Sequence, residues 1–342
     1  MNWFDQAETG LAGAGEVTVL SRPDVRRCLA GIDPVEVVRA TLAAHDRGES
    51  LLPAEAYLRW ENSQGAYTRS IGMPGAVGGV PGMKIINASV SNPAAGLDRA
   101  SGIGLCFDPE TARITTILEA GLLSAVRTAA VSAVGIEAAG YGEATSMSIV
   151  GCGAQGRMHA ALLARRLPGL RSVALYDRTP EVAHRLAASL DLEVTVHDDA
   201  RSAVAAGEIA VFTTTADDGY VEADWPRPGA LLVNVSLGDL TDEVFLGAGA
   251  VYVDDLDLVA DNPRRPLGRL MGEGAISRPG GDGKAIDATL GGLLTGRYTA
   301  HGVVKPWAVL NPFGMGVLDV ALYGAIAGQA RRLGAGTAVR LG

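Results

Sequence analysis

The chain of 342 residues is 48% hydrophobic, enough apolar surface for about two domains of ~150 residues each, and 45 glycines with 5% aromatics favour an α/β protein over an all-β sandwich. A formal net charge of −9, without a run of like charges, excludes a surface built for nucleic-acid phosphates. Cys28, Cys106 and Cys152 lie far apart with no Cys-x-x-Cys or Cys/His spacing, which predicts reduced thiols in the cytoplasm and no metal site. The N-terminus is acidic where a signal peptide is basic, and no run of about 18 continuous apolar residues occurs, so neither secretion nor membrane spanning is expected.

In chain order, a β-like run at 17–20 precedes Ser21-Arg-Pro-Asp24, a helix start with a capping serine and proline in the first turn. Apolar residues at Val35, Val38 and Leu42 predict a helix from Pro34 towards Gly48. Stretches 57–73 and 82–88 read as strands punctuated by Gly and Pro, and Asp108-Pro-Glu-Thr111 as a turn between strands 102–107 and 113–119. A small-residue helix over 122–139 follows and stops at Gly140. From there strand and helix alternate: strands at 146–150, 172–176, 194–197, 209–213, 231–235 and 251–253, helices at 154–167, 180–190 and 200–206. That alternation predicts a doubly wound parallel sheet. A last strand at 307–310 and a helix at 316–333 close the chain, the helix returning to the first region. The stretch 257–287, rich in Arg, Pro and Gly, carries no clear pattern.

Gly151-Cys-Gly153-Ala154-Gln155-Gly156 directly follows an apolar strand and opens a helix, and Asp177 stands about 20 residues further on at the tip of the next strand. These are the parts of a dinucleotide fingerprint. Gly151 permits the tight turn, Gly153 lets the backbone approach a pyrophosphate, and Gly156 lets helix and strand pack closely. The positive helix end then faces the phosphates. Asp177 at the ribose hydroxyls favours NAD over NADP, although the neighbouring Arg178 offers a grip for a 2′-phosphate. Thr213 and Thr214 end another strand at the ligand edge of the sheet; a bare β-branched strand end explains them equally well.

Lys84, Arg127 and Asp239 are charged residues set in apolar or glycine-rich context. Each alone reads as a structural ion pair; together with a nicotinamide cofactor they read as a site. Met73-Pro, Gly82-Met-Lys84, Glu119 through Arg127-Thr-Ala-Ala, the glycine fingerprint, Gly238-Asp239 and Asn311-Pro-Phe-Gly314 together resemble the ornithine cyclodeaminase/mu-crystallin family nearly end to end. The resemblance implies a discontinuous α+β substrate-binding and dimerisation domain from 1–125 and 316–342, a Rossmann-type NAD-binding domain over 126–315, and a homodimer. It also implies that Lys84 and Arg127 hold a substrate α-carboxylate, that Asp239 works beside the reacting amine or imine, and that Phe313 and Gly314 lie near the nicotinamide.

True cyclodeaminases of that family place a glutamate two residues before Met-Pro, where it meets the ornithine side-chain amine; here the residue is Ile71. The chain instead carries Arg59, Arg69 and Arg99 in the same region, residue types that grip carboxylates bidentately. Tyr57-Leu-Arg59, Arg99-Ala-Ser-Gly102, Val253-Asp-Asp255 and Leu310-Asn-Pro-Phe-Gly-Met315 are similar to the family branch, found in siderophore pathways, that releases 2,3-diaminopropionate from N-(2-amino-2-carboxyethyl)-L-glutamate. That branch implies oxidation with NAD and hydrolysis to 2-oxoglutarate and L-2,3-diaminopropionate. Lys84→Met is then expected to cost turnover far more than stability. Three alternatives remain open at this point: a ketimine or imino acid reductase or alanine-type dehydrogenase, a redox-neutral cyclodeaminase, and a non-catalytic crystallin-like nucleotide-binding protein.

Overall fold

The computed structural model describes residues 15–340; the acidic N-terminal stretch and the last two residues lie outside them. Strand β1 (Glu16–Leu20) leads into α1 (Arg22–Leu29) and α2 (Pro34–Asp46), then β2 (Ser50–Leu51), β3 (Ala56–Glu61), β4 (Tyr67–Val77), β5 (Val80–Ser89), β6 (Ala100–Phe107), β7 (Ile114–Glu119) and the long helix α3 (Gly121–Ala138). An alternating region follows: β8 (Ser146–Val150), α4 (Ala154–Arg166), β9 (Ser172–Tyr176), α5 (Pro180–Ala187), β10 (Glu193–Val196), α6 (Ala200–Ala206), β11 (Ile209–Phe212) and β12 (Ala230–Asn234). The chain goes on through α7 (Asp242–Gly247), β13 (Ala250–Val253), α8 (Leu256–Ala260), α9 (Pro266–Gly272), β14 (Ala288–Thr289), α10 (Leu290–Thr295), β15 (Trp307–Asn311), α11 (Gly316–Leu333) and β16 (Thr337–Arg340).

Contacts divide the chain into two compact units, one of Met1–Asp33, Ser50–Ser124 and Gly316–Gly342, the other of Pro34–Glu49 and Ala125–Met315. The first is built on an eight-stranded sheet ordered β16-β1-β7-β6-β5-β4-β2, with β3 also on β4. All its pairings are antiparallel except β1 with β7. Helix α11 lies close on one face because glycines clear its path. A Cβ on Gly75 would stand 3.0 Å from Val317, one on Gly82 3.2 Å from Val320, and one on Gly104 2.5 Å from the Tyr323 ring. At the other end of the sheet, Ser21 and Asp24 close a reciprocal capping box that starts α1 where expected.

The sequence suggests strand character across 57–73, but the chain reverses inside it. Asn62 Oδ1 accepts the N–H groups of Gln64 and Ala66, and Gly65 takes φ +70°, so β3 and β4 form a hairpin. Pro74 does not end β4. It pairs with Met83 of β5, and on its other side it falls between the segments paired with β3 and with β2.

The second unit holds a parallel sheet ordered β10-β9-β8-β11-β12-β15-β13-β14, the doubly wound arrangement expected from the alternation. Its central strands β11, β12, β13 and β15 are buried throughout, as their unbroken apolar runs require. The order reverses at β8, with β9 on one side and β11 on the other, so the loop after β8 sits at the topological switch point. Helix α3 is long and apolar enough to cross a membrane by length and composition, and most of it is buried within the protein.

Residues Pro34–Glu49 fall in the second unit rather than the first, a departure from the 1–125 boundary. Packing and charge explain it. A Cβ on Gly291 of α10 would lie 2.6 Å from the Leu42 carbonyl, Arg39 pairs with Glu137, Glu36 with Arg166, and His45 with Asp255. The patternless stretch 257–287 contains the short helices α8 and α9 and a bridge between Ser277 and Ala285.

Candidate active site

The loop after β8 is shaped by backbone. Gly151 takes φ +92°, and a Cβ there would meet the Thr213 carbonyl at 2.8 Å. A Cβ on Gly156 would stand 2.1 Å from the Gly151 oxygen, whereas Gly153 faces open space. Gly153 is the N-cap of α4 and no side chain caps the helix, so the first-turn N–H groups at Ala154 and Gln155 present their positive end at the loop. Asp177, just past β9, accepts the Cys152 N–H at 2.8 Å through one oxygen and the Thr179 N–H at 2.9 Å through the other. Arg178 is exposed beside it. An open glycine, an uncapped helix start and a carboxylate at the next strand tip fit a dinucleotide's pyrophosphate and ribose.

Buried and half-buried polar groups hold that loop. Thr213 donates its hydroxyl to the Gly151 carbonyl at 2.6 Å, so its side chain braces the loop from within. His159 is fully buried, with Nδ1 2.8 Å from the Gln155 carbonyl and Nε2 3.0 Å from Ser132 Oγ; burial pushes its pKa down to about 4. The Cys152 thiol is pushed up to about 12 by burial and by Asp177, which makes it an inert part of the turn.

Further along the same sheet, Asp239 is completely buried and receives three hydroxyls: Thr214 and Tyr220, the latter at 3.0 Å, on one oxygen, and Ser236 on the other. Thr214 thus serves Asp239, not the glycine loop. Burial and the carboxylate raise the Tyr220 phenol well above its usual range, so it donates and stays neutral. Ser236 and Tyr220 escape sequence reading. Ser236 stands three residues before Asp239 in an ordinary loop, and Tyr220 is isolated.

A second assembly in this unit surrounds Arg127, which α3 carries and which is 6% exposed. The loop after β15 runs past it: Gly314 has φ +93°, and a Cβ there would lie 2.6 Å from Arg127 Nη1. Asp254 fixes this loop by accepting the N–H of Phe313 at 3.0 Å and of Gly314 at 2.6 Å, and burial raises the Asp254 carboxyl despite those bonds. Asp254, in sequence only one acid of Val253-Asp-Asp255, is the anchor of the 313–314 segment.

In the antiparallel unit, Lys84 is 1% exposed and its ammonium meets Asp319 of α11 at 2.7 Å. The structural reading of Lys84 is therefore true alongside any functional one. Removing the lysine takes one partner from a buried ion pair, so Lys84→Met costs stability as well as turnover. Strand pairing aligns Lys84 with Met73, Ile71 with Tyr57, and Arg69 with Arg59. Because side chains alternate, Lys84, Met73, Ile71, Arg69 and Arg59 share one face of the sheet, the one α11 covers at Gly75 and Gly82. From the Lys84–Met73 row to the Arg59–Arg69 row is about 13 Å along β4. Arg59 lies over the Tyr57 ring at 4.5 Å, and among the described residues neither Arg59 nor Arg69 forms an ion pair. Arg99 lies on the exposed approach to β6, outside that row. Among the described residues no group of three His, Cys, Asp or Glu side chains is placed to hold a metal ion.

The model of the ornithine cyclodeaminase/mu-crystallin family matches residues 16–332. The chain belongs to this family. N-((2S)-2-amino-2-carboxyethyl)-L-glutamate dehydrogenase of Staphylococcus aureus is 30% identical to it over 95% of this chain and 99% of that protein. The solved structure of CmnK is 46% identical, with a TM-score of 0.90 over 95% of this chain and 98% of its own. An archaeal alanine dehydrogenase dimer with bound NAD, 19% identical with a TM-score of 0.81 over 95% and 99% of the two chains, shares the fold.

Proposed function

We propose that the protein is an NAD-dependent oxidoreductase acting on a CH–NH group, and that its substrate is N-(2-amino-2-carboxyethyl)-L-glutamate, converted to 2-oxoglutarate and L-2,3-diaminopropionate for a specialised metabolite. The observation that carries the substrate reading is the pair Arg59–Arg69. Like charges directly opposite on neighbouring strands repel by about 0.2–1 kcal/mol, and among the described residues no carboxylate forms an ion pair with either arginine. A substrate carboxylate relieves them. Ile71, between this pair and the Lys84 row, offers nothing to a second ammonium, which speaks against ornithine.

In this reading the glycine loop, with Gly151, Gly153, Ala154, Gln155 and Gly156, holds the pyrophosphate, Asp177 the ribose, and Phe313 and Gly314 flank the nicotinamide. The bound dinucleotide supplies a hydride acceptor. Lys84 and Arg127 take the glutamyl α-carboxylate and orient its Cα–H, while Arg59, Arg69 and Arg99 take the distal carboxylates. As Cα loses its hydride, the secondary amine loses a proton and a C=N bond forms. Asp239, set by Thr214, Tyr220 and Ser236, directs water to that carbon and carries the proton. Collapse of the carbinolamine breaks the C–N bond, so one NAD and one water are consumed for one NADH, one keto acid and one diamino acid. Reduced, buried thiols suit a cytoplasmic enzyme, and we read it as a homodimer.

The test is incubation of the purified protein with NAD and, separately, N-(2-amino-2-carboxyethyl)-L-glutamate, L-ornithine and L-alanine, following NADH and identifying products by mass. Equal amounts of NADH, 2-oxoglutarate and 2,3-diaminopropionate from the first compound are expected. Proline from ornithine without net NADH, or faster oxidation of alanine, overturns the substrate.

A further inference from the structure

Helix α11 meets the antiparallel sheet through Val317, Val320 and Tyr323, which settle over Gly75, Gly82 and Gly104. Within this close-packed contact Asp319, in the first turn of the helix, is 0% exposed and bound to Lys84 at 2.7 Å. We infer that Asp319 is the positioning residue of the site, holding the Lys84 ammonium charged and aimed for the substrate carboxylate; this rests on the reading in which Lys84 binds that group.

The energetics point to function. A buried ion pair gains little for a fold over a well-packed apolar pair of the same volume, because both ions give up their hydration. An ammonium 1% exposed and without a counter-charge, on the other hand, is held in its ionised form only at great cost. The carboxylate is thus needed where the lysine must remain a cation. Its position follows from the packing. Gly82 sits two residues before Lys84 in β5, and Val320, one residue after Asp319, fills the space a Cβ there would take. Gly104, paired directly with Lys84 across β5 and β6, receives Tyr323, one turn beyond Asp319. The glycines bring α11 near enough for a short aspartate side chain to reach the lysine and fix its direction.

The test is a double-mutant cycle on NAD-saturated enzyme, comparing wild type, Asp319→Asn, Lys84→Met and the double variant, read on whichever amino acid of the panel above the wild type oxidises. Failure of the glutamate-derived substrate therefore remains distinct from failure of Asp319. Asp319→Asn is expected to keep its NAD affinity within about twofold and to lose 30-fold or more in kcat/KM, with the KM for the amino acid raised. Lys84→Met and the double variant should then have the same kcat/KM, as expected if the effect of Asp319 on the reaction passes through Lys84. Retention of kcat/KM within threefold in Asp319→Asn, or losses that multiply in the double variant, overturns the proposal. Should Asp319→Asn not fold, Asp319→Glu keeps the charge but moves it by one methylene; a tenfold loss in kcat/KM at unchanged NAD affinity is expected, and unchanged kcat/KM refutes the role.

Discussion

The glycine loop after β8 and the cationic row on β3, β4 and β5 are made of different material. In the loop, recognition comes from backbone: an uncapped helix start, an open Gly153, and Gly151 and Gly156 where a Cβ would strike a carbonyl oxygen. In the row, recognition comes from side chains up to 25 residues apart in sequence, gathered by strand register: Arg59 opposite Arg69, Ile71 beyond them, and Lys84 on the next strand. A backbone site leaves a fixed spacing in the sequence. A register site leaves only isolated residues.

The sharpest way to break the row is Lys84→Met. Breaking the buried Lys84–Asp319 pair should cost about 3–5 kcal/mol in urea unfolding, and turnover should fall with it. Full stability in that variant would mean that the buried Asp319 carboxylate does not depend on the lysine. In the loop, the corresponding lesion is Gly156→Ala, whose Cβ would stand 2.1 Å from the Gly151 oxygen. A loss of about 3 kcal/mol is expected, with NADH binding weakened at least about a hundredfold in a fluorescence titration. Normal NADH binding would break the assignment of the loop.

A milder probe of the loop is pH. His159 is held neutral by burial, its pKa pushed down to about 4 from the ordinary 6.5, so between those values the unfolded chain takes up a proton that the native state refuses. Its contribution is therefore complete above pH 6.5 and lost as pH falls towards 4, by about 3 kcal/mol at most. Urea midpoints should decline across this window in the wild type and decline less in His159→Gln. The smallest stability effect belongs to Arg69→Ala, and its sign is informative. Removing one of two opposed cations should raise stability by about 0.2–1 kcal/mol while raising the KM for a tricarboxylate substrate about 10- to 100-fold. A variant that loses both stability and nothing in KM would make Arg69 structural.

These differences also explain what the sequence discloses. The parallel sheet was legible strand by strand because its buried runs are short, apolar and separated by helices; β8, β9 and α6 begin and end where the pattern places them. The hairpin at Asn62 was hidden because its turn rests on Asn62 side-chain bonds and a lone Gly65, with no proline beside it. The charged residues Lys84, Arg127 and Asp239 stood out against apolar surroundings. Their supports did not: Asp319 looks like an ordinary first-turn acid of a helix, and Ser236 and Tyr220 like loop residues. Nothing local marks a hydroxyl that will be turned inward, since its partner is chosen by tertiary packing.

One feature of the antiparallel unit bears on how the protein is made. Lys84 and Asp319 are separated by 235 residues, and β1 pairs with β16 at the far end of the described chain. At about 5–20 residues per second, ribosomes deliver Asp319 roughly 12–50 s after Lys84. Throughout that interval β5 carries a lysine whose burial is incomplete, while β8, β9 and β11, the strands around the nucleotide loop, are complete by Phe212, more than 100 residues before Asp319. The order of synthesis thus favours a nascent chain that has its nucleotide loop well before the lysine of its amino-acid site is seated, and the last helix to emerge is the one that seats it.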